Sequence, residues 1–301
     1  MKKIQINILA ILACLLWASA FAAGKYSLLY LPPITLAGIR LLIAALMLAF
    51  FAKKEELKKL LPYWPFLIGY SVLKVAIPFI AFNLGLVRVT GSLGAMIVGS
   101  SPAISIIMAV AFIKTEHFNR EKIISMILGM IAIIMLSLSK SSDGTNQILG
   151  VIFLLVNCVC GAFGDIYIKK KTDIKFSVSL NFLQVLVGAL FVIATGFITE
   201  GVSLSSVAWN AKVIFDIIYL AFITACATTI WLKLVQEPTV EISVIAIWKL
   251  LIPSVGALLS WILTPGDKPT LVSVISLMMI LVSIFIATSR NASKKIKLKM
   301  A

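Results

Sequence analysis

Three basic residues stand inside stretches that otherwise hold almost only apolar side chains. Lys249 sits in Ile247-Trp248-Lys249-Leu250-Leu251-Ile252-Pro253, Lys74 in Ser71-Val72-Leu73-Lys74-Val75-Ala76, and Arg40 in Leu36-Ala37-Gly38-Ile39-Arg40-Leu41-Leu42. An ionisable group at such depth in a bilayer costs about 2.5–3.5 kcal/mol on insertion scales, so it faces a cavity or a partner. Positive charge in a low-dielectric cavity is weakly screened and attracts a carboxylate or phosphate. The competing reading is a long side chain that snorkels to the interface, and it applies most readily to Arg40, about two turns from a helix end. Trp17, Tyr70, Asn83, Asn157, Gln184 and Trp248 are the further side chains suited to touch a solute. Pro102 and Pro253 each remove a backbone hydrogen bond and free a carbonyl about one turn earlier, which would let a helix bend. The run Gly91, Gly94, Ala95, Gly99, Ser100, Ser101 and Ala103 leaves one helix face nearly free of bulk, for close packing or for a ligand.

The acids are notable for where they are missing. Glu55, Glu56, Glu116, Glu121, Asp143, Asp173, Glu200 and Asp267 fall in loops or at helix ends. Asp165 precedes Lys169 by four residues, the spacing of a helical ion pair near one face of the membrane. Glu237 and Glu241 flank Pro238 at the start of a helix, where negative charge suits the N-terminus. No carboxylate is therefore expected at mid-depth, although Glu241 is placed to reach a cavity and serve ion coupling. His117 is the lone histidine and falls in a turn, and neither a glycine-rich phosphate loop nor metal-ligand spacing is present. Cys14, Cys158, Cys160 and Cys226 lie within apolar stretches and read as packing residues. An enzyme, a metal site and a cofactor are thus not expected.

The elements that must carry these residues follow from composition. Hydrophobic residues make up 61% of the 301 and charged residues 13%, with mean hydropathy +1.08, against roughly 45–50% and 25% in soluble domains. Apolar runs of bilayer-crossing length recur near 4–24, 34–52, 65–87, 92–113, 122–139, 147–167, 177–198, 213–235, 241–262 and 270–289. The expected fold is an all-α integral membrane protein of ten transmembrane helices. Lys2, Lys3 and Ala18-Ser19-Ala20 imitate a cleaved secretory signal, but the apolar run continues past that site and its pattern returns mid-chain, so the first span is read as retained.

With the N-terminus inside, 19 of the 27 lysines and arginines fall in cytoplasmic segments, five in external ones and three within spans. That positive-inside bias puts both termini in the cytoplasm of a multi-pass inner-membrane protein. The +15 net charge is spread over loops without interleaved aromatics, which excludes nucleic acid as a partner. Lys294-Lys295-Ile296-Lys297-Leu298-Lys299 reads as the topogenic end of the last helix, with anionic lipid as the other reading.

Shifted by 144 residues, the chain aligns Cys14 with Cys158, Ala18 with Ala162, Lys25 with Lys169 and Arg40 with Gln184. A shift of 151 aligns Pro102 with Pro253 and Glu116 with Asp267. One duplication with a short insertion explains both, and gives a five-helix repeat over 1–140, a second over 141–290 and a basic tail over 291–301. An odd number of spans per unit makes the two copies inverted, the arrangement by which carriers exchange an inward for an outward opening around a site at the repeat interface.

Trp17-Ala18-Ser19-Ala20-Phe21, Arg40, the small-residue run from Gly91 through Ser101 to Pro102, and Lys114-Thr115-Glu116 followed by Gly129 are by order and spacing similar to the EamA-like transporters of the drug/metabolite transporter superfamily. The resemblance covers essentially the whole chain. It implies a ten-helix fold with a central cavity, the fifth and tenth helices peripheral, and substrates ranging over amino acids, other metabolites and drugs. Pro265-Gly266-Asp267-Lys268-Pro269 departs from the usual glutamate turn, so the resemblance does not imply equal roles for Glu116 and Asp267. The expected function is secondary transport of a small metabolite, an amino acid or another carboxylate- or phosphate-bearing solute, by alternating access. A broad multidrug exporter and a channel are the alternatives. The expected partners are that solute, the lipid bilayer and a coupling proton or ion, with homodimerisation open.

Overall fold

The computed structural model describes residues 3–99, 101–112, 120–138, 146–171, 173–201, 209–238, 240, 242, 245, 247–264 and 266–297. Among them the regular structure is helical: α1 Lys3–Ser27, α2 Pro33–Ala49, α3 Lys54–Arg88, α4 Gly91–Gly99, α5 Ser101–Phe112, α6 Arg120–Leu138, α7 Gln147–Lys169, α8 Ser177–Glu200, α9 Ala211–Gln236, α10 Leu251–Leu263 and α11 Leu271–Lys297. Six helical stretches are long and apolar enough to cross a membrane: Ile4–Ser27, Lys54–Arg88, Gly91–Met108, Gln147–Lys169, Ser177–Glu200 and Ala211–Gln236. Large apolar side chains also cover the outside, with Phe285 69% and Ile198 85% exposed. In water such a surface would drive aggregation; in hydrocarbon it is the matched solvent.

Local sequence sets the helix ends. Pro33 opens α2 at a position where its missing N–H costs nothing, and Glu200 accepts hydrogen bonds from the Ile34 and Thr35 N–H groups, both at 2.8 Å. Asn210 caps α9 by accepting from the Val213 N–H at 2.9 Å. Gly201, in the left-handed region at φ 56°, ends α8.

The packing runs in matched pairs: α2 lies against α8, α1 against α9, the second half of α3 against α7, α4 against α10, and α6 against α11. α3 and α7 approach closely at Gly85 and Gly150. A Cβ on Gly85 would stand 2.9 Å from the Gly150 carbonyl oxygen, so this approach requires glycine.

Two departures from α geometry each carry one of the buried lysines. Within α3 the turn Val72–Ala76 is a π-helix holding Lys74; Pro78, four residues on, cannot donate to that lysine's carbonyl and crowds it, which widens the turn. Ahead of α10, Ile247–Leu250 is a 3₁₀ turn holding Lys249. The expected continuous helix over 241–262 is thus corrected to one interrupted by this 3₁₀ turn: Ile242 and Ile245 are helical ahead of it, and α10 starts at Leu251 after it. Pro102 lies inside the helical stretch Gly91–Met108, and Pro253 follows the 3₁₀ turn with two residues between them and seats its ring against Gly99. Glu241, Glu116 and His117 lie outside the described residues.

Candidate functional site

A cavity of about 170 Å³ opens between α1, α2, α3, α7, α9 and the 3₁₀ turn before α10. Its charged lining is Arg40, Lys74, Asp165 and Lys249, and its aromatic walls are Trp17, Phe21, Phe79, Phe82 and Trp231. A smaller space of about 50 Å³ shares Trp17, Lys74, Phe79, Asp165 and Trp231 and extends the cavity toward Tyr70, Asn181 and Gln184.

Asp165 organises one side. It is 3% exposed on α7, and its Oδ1 accepts from Lys74 Nζ at 2.5 Å, while Oδ2 accepts from Trp231 Nε1 at 3.1 Å. Lys249 Nζ stands 3.9 Å from Oδ2, beyond hydrogen-bond reach, and 4.4 Å from the centre of the Trp231 ring, a cation–π contact. Lys74 also donates to the Gly161 carbonyl at 2.8 Å. Its stem passes directly over Gly164, where any side chain would displace it. The two helix irregularities and this glycine aim both lysines at one carboxylate.

Arg40 forms the other side. It is 5% exposed, lies 4.7 Å from the Phe79 ring centre and 5.8 Å from that of Phe82, and among the described residues makes one long hydrogen bond, Nη2 to Thr224 Oγ1 at 3.4 Å. Its Nε and Nη1 are buried without a partner. The expected snorkelling of Arg40 is corrected: Thr224, Phe79 and Phe82 hold the guanidinium at the cavity.

Of the side chains expected from the sequence, Trp17, Arg40, Lys74, Asn157 and Lys249 line the larger cavity, and Tyr70 and Gln184 line the smaller. Asn157 donates to the Pro78 carbonyl at 3.0 Å. Tyr70 Oη and Gln184 Oε1 are buried without partners. Two are placed elsewhere. Asn83 is buried and donates to the Phe79 carbonyl at 2.8 Å, tying its own helix, and Trp248 packs on the apolar cluster around Cys14 and Phe21.

The EamA-like transporter family profile matches residues 4–138 and 148–289. The chain belongs to the EamA-like transporter family. Among relatives of this EamA-like chain, the "Uncharacterized transporter YvbV" of Bacillus subtilis (strain 168) is 26% identical over 297 residues, covering 98% of this chain and 95% of its own. A "Probable amino-acid metabolite efflux pump" of Escherichia coli (strain K12) is 27% identical over 262 residues, covering 83% and 84%, and one of the same name from Salmonella typhimurium is 24% identical over 263 residues, covering 82% and 83%. One solved structure superposes on 95% of this chain and 97% of its own at TM-score 0.68 and 12% identity, which shows a shared fold alone.

For this EamA-like chain, sequence reasoning missed Asp165 as a cavity residue. The four-residue spacing to Lys169 assigned it to a helical pair, and that assignment is corrected: Lys169 Nζ donates to the Glu237 and Val240 carbonyls, both at 2.7 Å, while Asp165 turns to Lys74 and Lys249. A carboxylate does therefore stand in the cavity. The available signal was the pair Gly161 and Gly164 on the same helix face, which leaves room for a long partner from a neighbour. Phe79, Phe82 and Trp231 were missed because aromatics in membrane helices are mostly packing residues.

Proposed function

We propose that the chain is a secondary transporter which moves a small carboxylate- or phosphate-bearing metabolite, amino acids included, across the cytoplasmic membrane by alternating access. The observation that carries this reading is the charge of the cavity: three bases, Arg40, Lys74 and Lys249, against one carboxylate, Asp165. Such a site favours an anionic group and repels a cation. Its size points the same way. A cavity of about 150 Å³ takes a benzene-sized ligand, so about 170 Å³ suits a small metabolite better than the bulky cations of a broad drug exporter. The names of the Escherichia coli and Salmonella relatives agree with an amino-acid-sized solute.

Contacts at the two ends of the bundle support two inverted five-helix units over 1–140 and 141–290. Lys25 Nζ donates to the Leu86 and Val89 carbonyls at 3.0 and 2.6 Å; at the 144- and 151-residue offsets these become Lys169, Glu237 and Val240, which make the same contact. Thr35 Oγ1 donates to Glu200 at 2.7 Å and Ser179 Oγ to Glu56 at 2.6 Å, again the same pair at an offset of 144, with donor and acceptor exchanged between units. A twofold axis in the membrane plane accounts for both sets. The positive-inside distribution orients the bundle with both termini cytoplasmic.

Counterflow in proteoliposomes with metabolites sorted by charge tests the reading. Anionic or zwitterionic solutes exchange saturably, and Lys249→Ala abolishes exchange while the protein keeps its thermal unfolding transition. Transport confined to organic cations, or full exchange by Lys249→Ala, refutes it; ohmic current would favour a channel.

A further inference from the structure

Resting on that reading, we infer that the cavity takes a two-ended dianion, a short dicarboxylate, with one carboxylate on Arg40 and the other between Lys249 and Lys74, and that it works by exchange.

The argument begins with the charge count. The lining carries a formal +3 from Arg40, Lys74 and Lys249 and −1 from Asp165, an excess of two. Reorienting a cavity with net charge in a low-dielectric surround is costly, and any charge carried through the membrane potential adds to that cost. A zwitterion leaves the excess at two and a monoanion leaves one. A dianion removes it.

The excess is divided between two poles. Asp165 stands within 3.9 Å of both lysines, yet Arg40 forms no ion pair among the described residues, and its neighbours are Phe79, Phe82 and Thr224. A buried guanidinium with Nε and Nη1 unpartnered is an expensive arrangement, and a carboxylate from the cavity supplies what both nitrogens lack. At the other pole Lys249 sits beyond hydrogen-bond reach of Asp165 and makes no hydrogen bond to it, so its ammonium can close on a second carboxylate. Separate poles call for charge at each end of the solute, not a compact dianion such as phosphate. The space, on the order of six to ten non-hydrogen atoms by comparison with a benzene-sized cavity, fits a dicarboxylate of four or five carbons.

Exchange follows from the same count. The empty cavity keeps its excess of two and reorients slowly, whereas the loaded cavity is neutral and reorients readily. Solute on the far side therefore accelerates uptake.

Three probes of one shape decide this on the unaltered full-length protein: succinate, its monoamide and its diamide, carrying two, one and no negative charges. Thermal stabilisation of the purified protein and uptake into proteoliposomes are read for each. Succinate is expected to stabilise at concentrations at least tenfold lower than the monoamide, and internal succinate to speed uptake of labelled succinate at least tenfold over empty vesicles. Arg40→Gln is expected to remove the advantage of succinate over the monoamide. Equal potency of succinate and monoamide on the unaltered protein overturns the dianion and leaves the anionic-solute reading standing, and stabilisation by inorganic phosphate equal to that by succinate overturns the two separate poles. Uptake into empty vesicles as fast as into loaded ones overturns exchange. Response to organic cations alone overturns both this inference and the reading beneath it.

Discussion

Replacing Asp165 by Asn keeps the shape of the side chain and an oxygen to accept from Trp231, and removes only the charge. In the structure that charge lies 2.5 Å from Lys74 Nζ and 3.9 Å from Lys249 Nζ. At an effective dielectric of about 20 the gross attractions are about 7 and about 4 kcal/mol, much of which desolvation has already consumed. Removing one partner of a buried pair costs about 3–5 kcal/mol, because the other charge is left uncompensated. Asp165→Asn should therefore lower the unfolding temperature of the purified protein in detergent by roughly 6–10 °C, at about 2 °C per kcal/mol for a long chain. Double-mutant cycles then assign the loss. Lys74→Met in the Asp165→Asn background should restore most of it, Lys249→Met a smaller share by a factor of about 1.6 from the distances, and Lys169→Met nothing. Restoration by Lys169→Met with none from Lys74→Met would mean that Asp165 pairs along its own helix, and the cavity described here would be wrong.

The remaining predictions concern what positions the site. A Cβ on Gly164 would come 2.5 Å from Lys74 Cδ, so Gly164→Ala should push the lysine off Asp165, cost about 1–3 kcal/mol by overpacking and reduce transport, whereas Gly161→Ala, where a Cβ meets nothing within 4 Å, should leave the thermal unfolding of the protein as it was. Lys25→Met and Lys169→Met each strip charge-assisted bonds from helix-end carbonyls, at about 1.5–3 kcal/mol per bond; the inverted-repeat reading requires losses of similar size in thermal unfolding, and a loss at only one of the two positions would count against it.

The helices were legible because hydrocarbon demands long apolar runs, and the expected starts at Gln147 and Ser177 coincide with those of α7 and α8. The third span was read as 65–87, yet α3 starts at Lys54. Its amphipathic first turns carry Lys54, Glu55, Glu56, Lys58 and Lys59, which a hydropathy criterion rejects although the helix continues through them. Lys74 and Lys249 were legible as buried charges by cost alone. Their common partner was not, since Asp165 lies 91 residues from Lys74 in the chain, and sequence spacing reports only neighbours on one helix. Arg40 shows the same limit. Its depth in the span suited either snorkelling or burial, and the choice was made by Phe79, Phe82 and Thr224 on two other helices.

Under the proposed repeat, symmetry is kept at the ends of the bundle and broken in its middle. Lys25 and Lys169, Thr35 and Ser179, and Glu56 and Glu200 are equivalent positions doing equivalent work. In the cavity the equivalents differ in charge: Arg40 stands opposite Gln184, Asp165 opposite Phe21 and Lys249 opposite Val98, with Phe21 and Val98 themselves part of the wall. Matched ends are what alternating access requires, because closing either face must cost about the same if neither conformation is to become a trap. A cavity has no such constraint. It must complement a solute that lacks the bundle's twofold symmetry, and a charge placed on one unit alone gives that solute a single orientation while leaving the balance between the two faces to the symmetric ends.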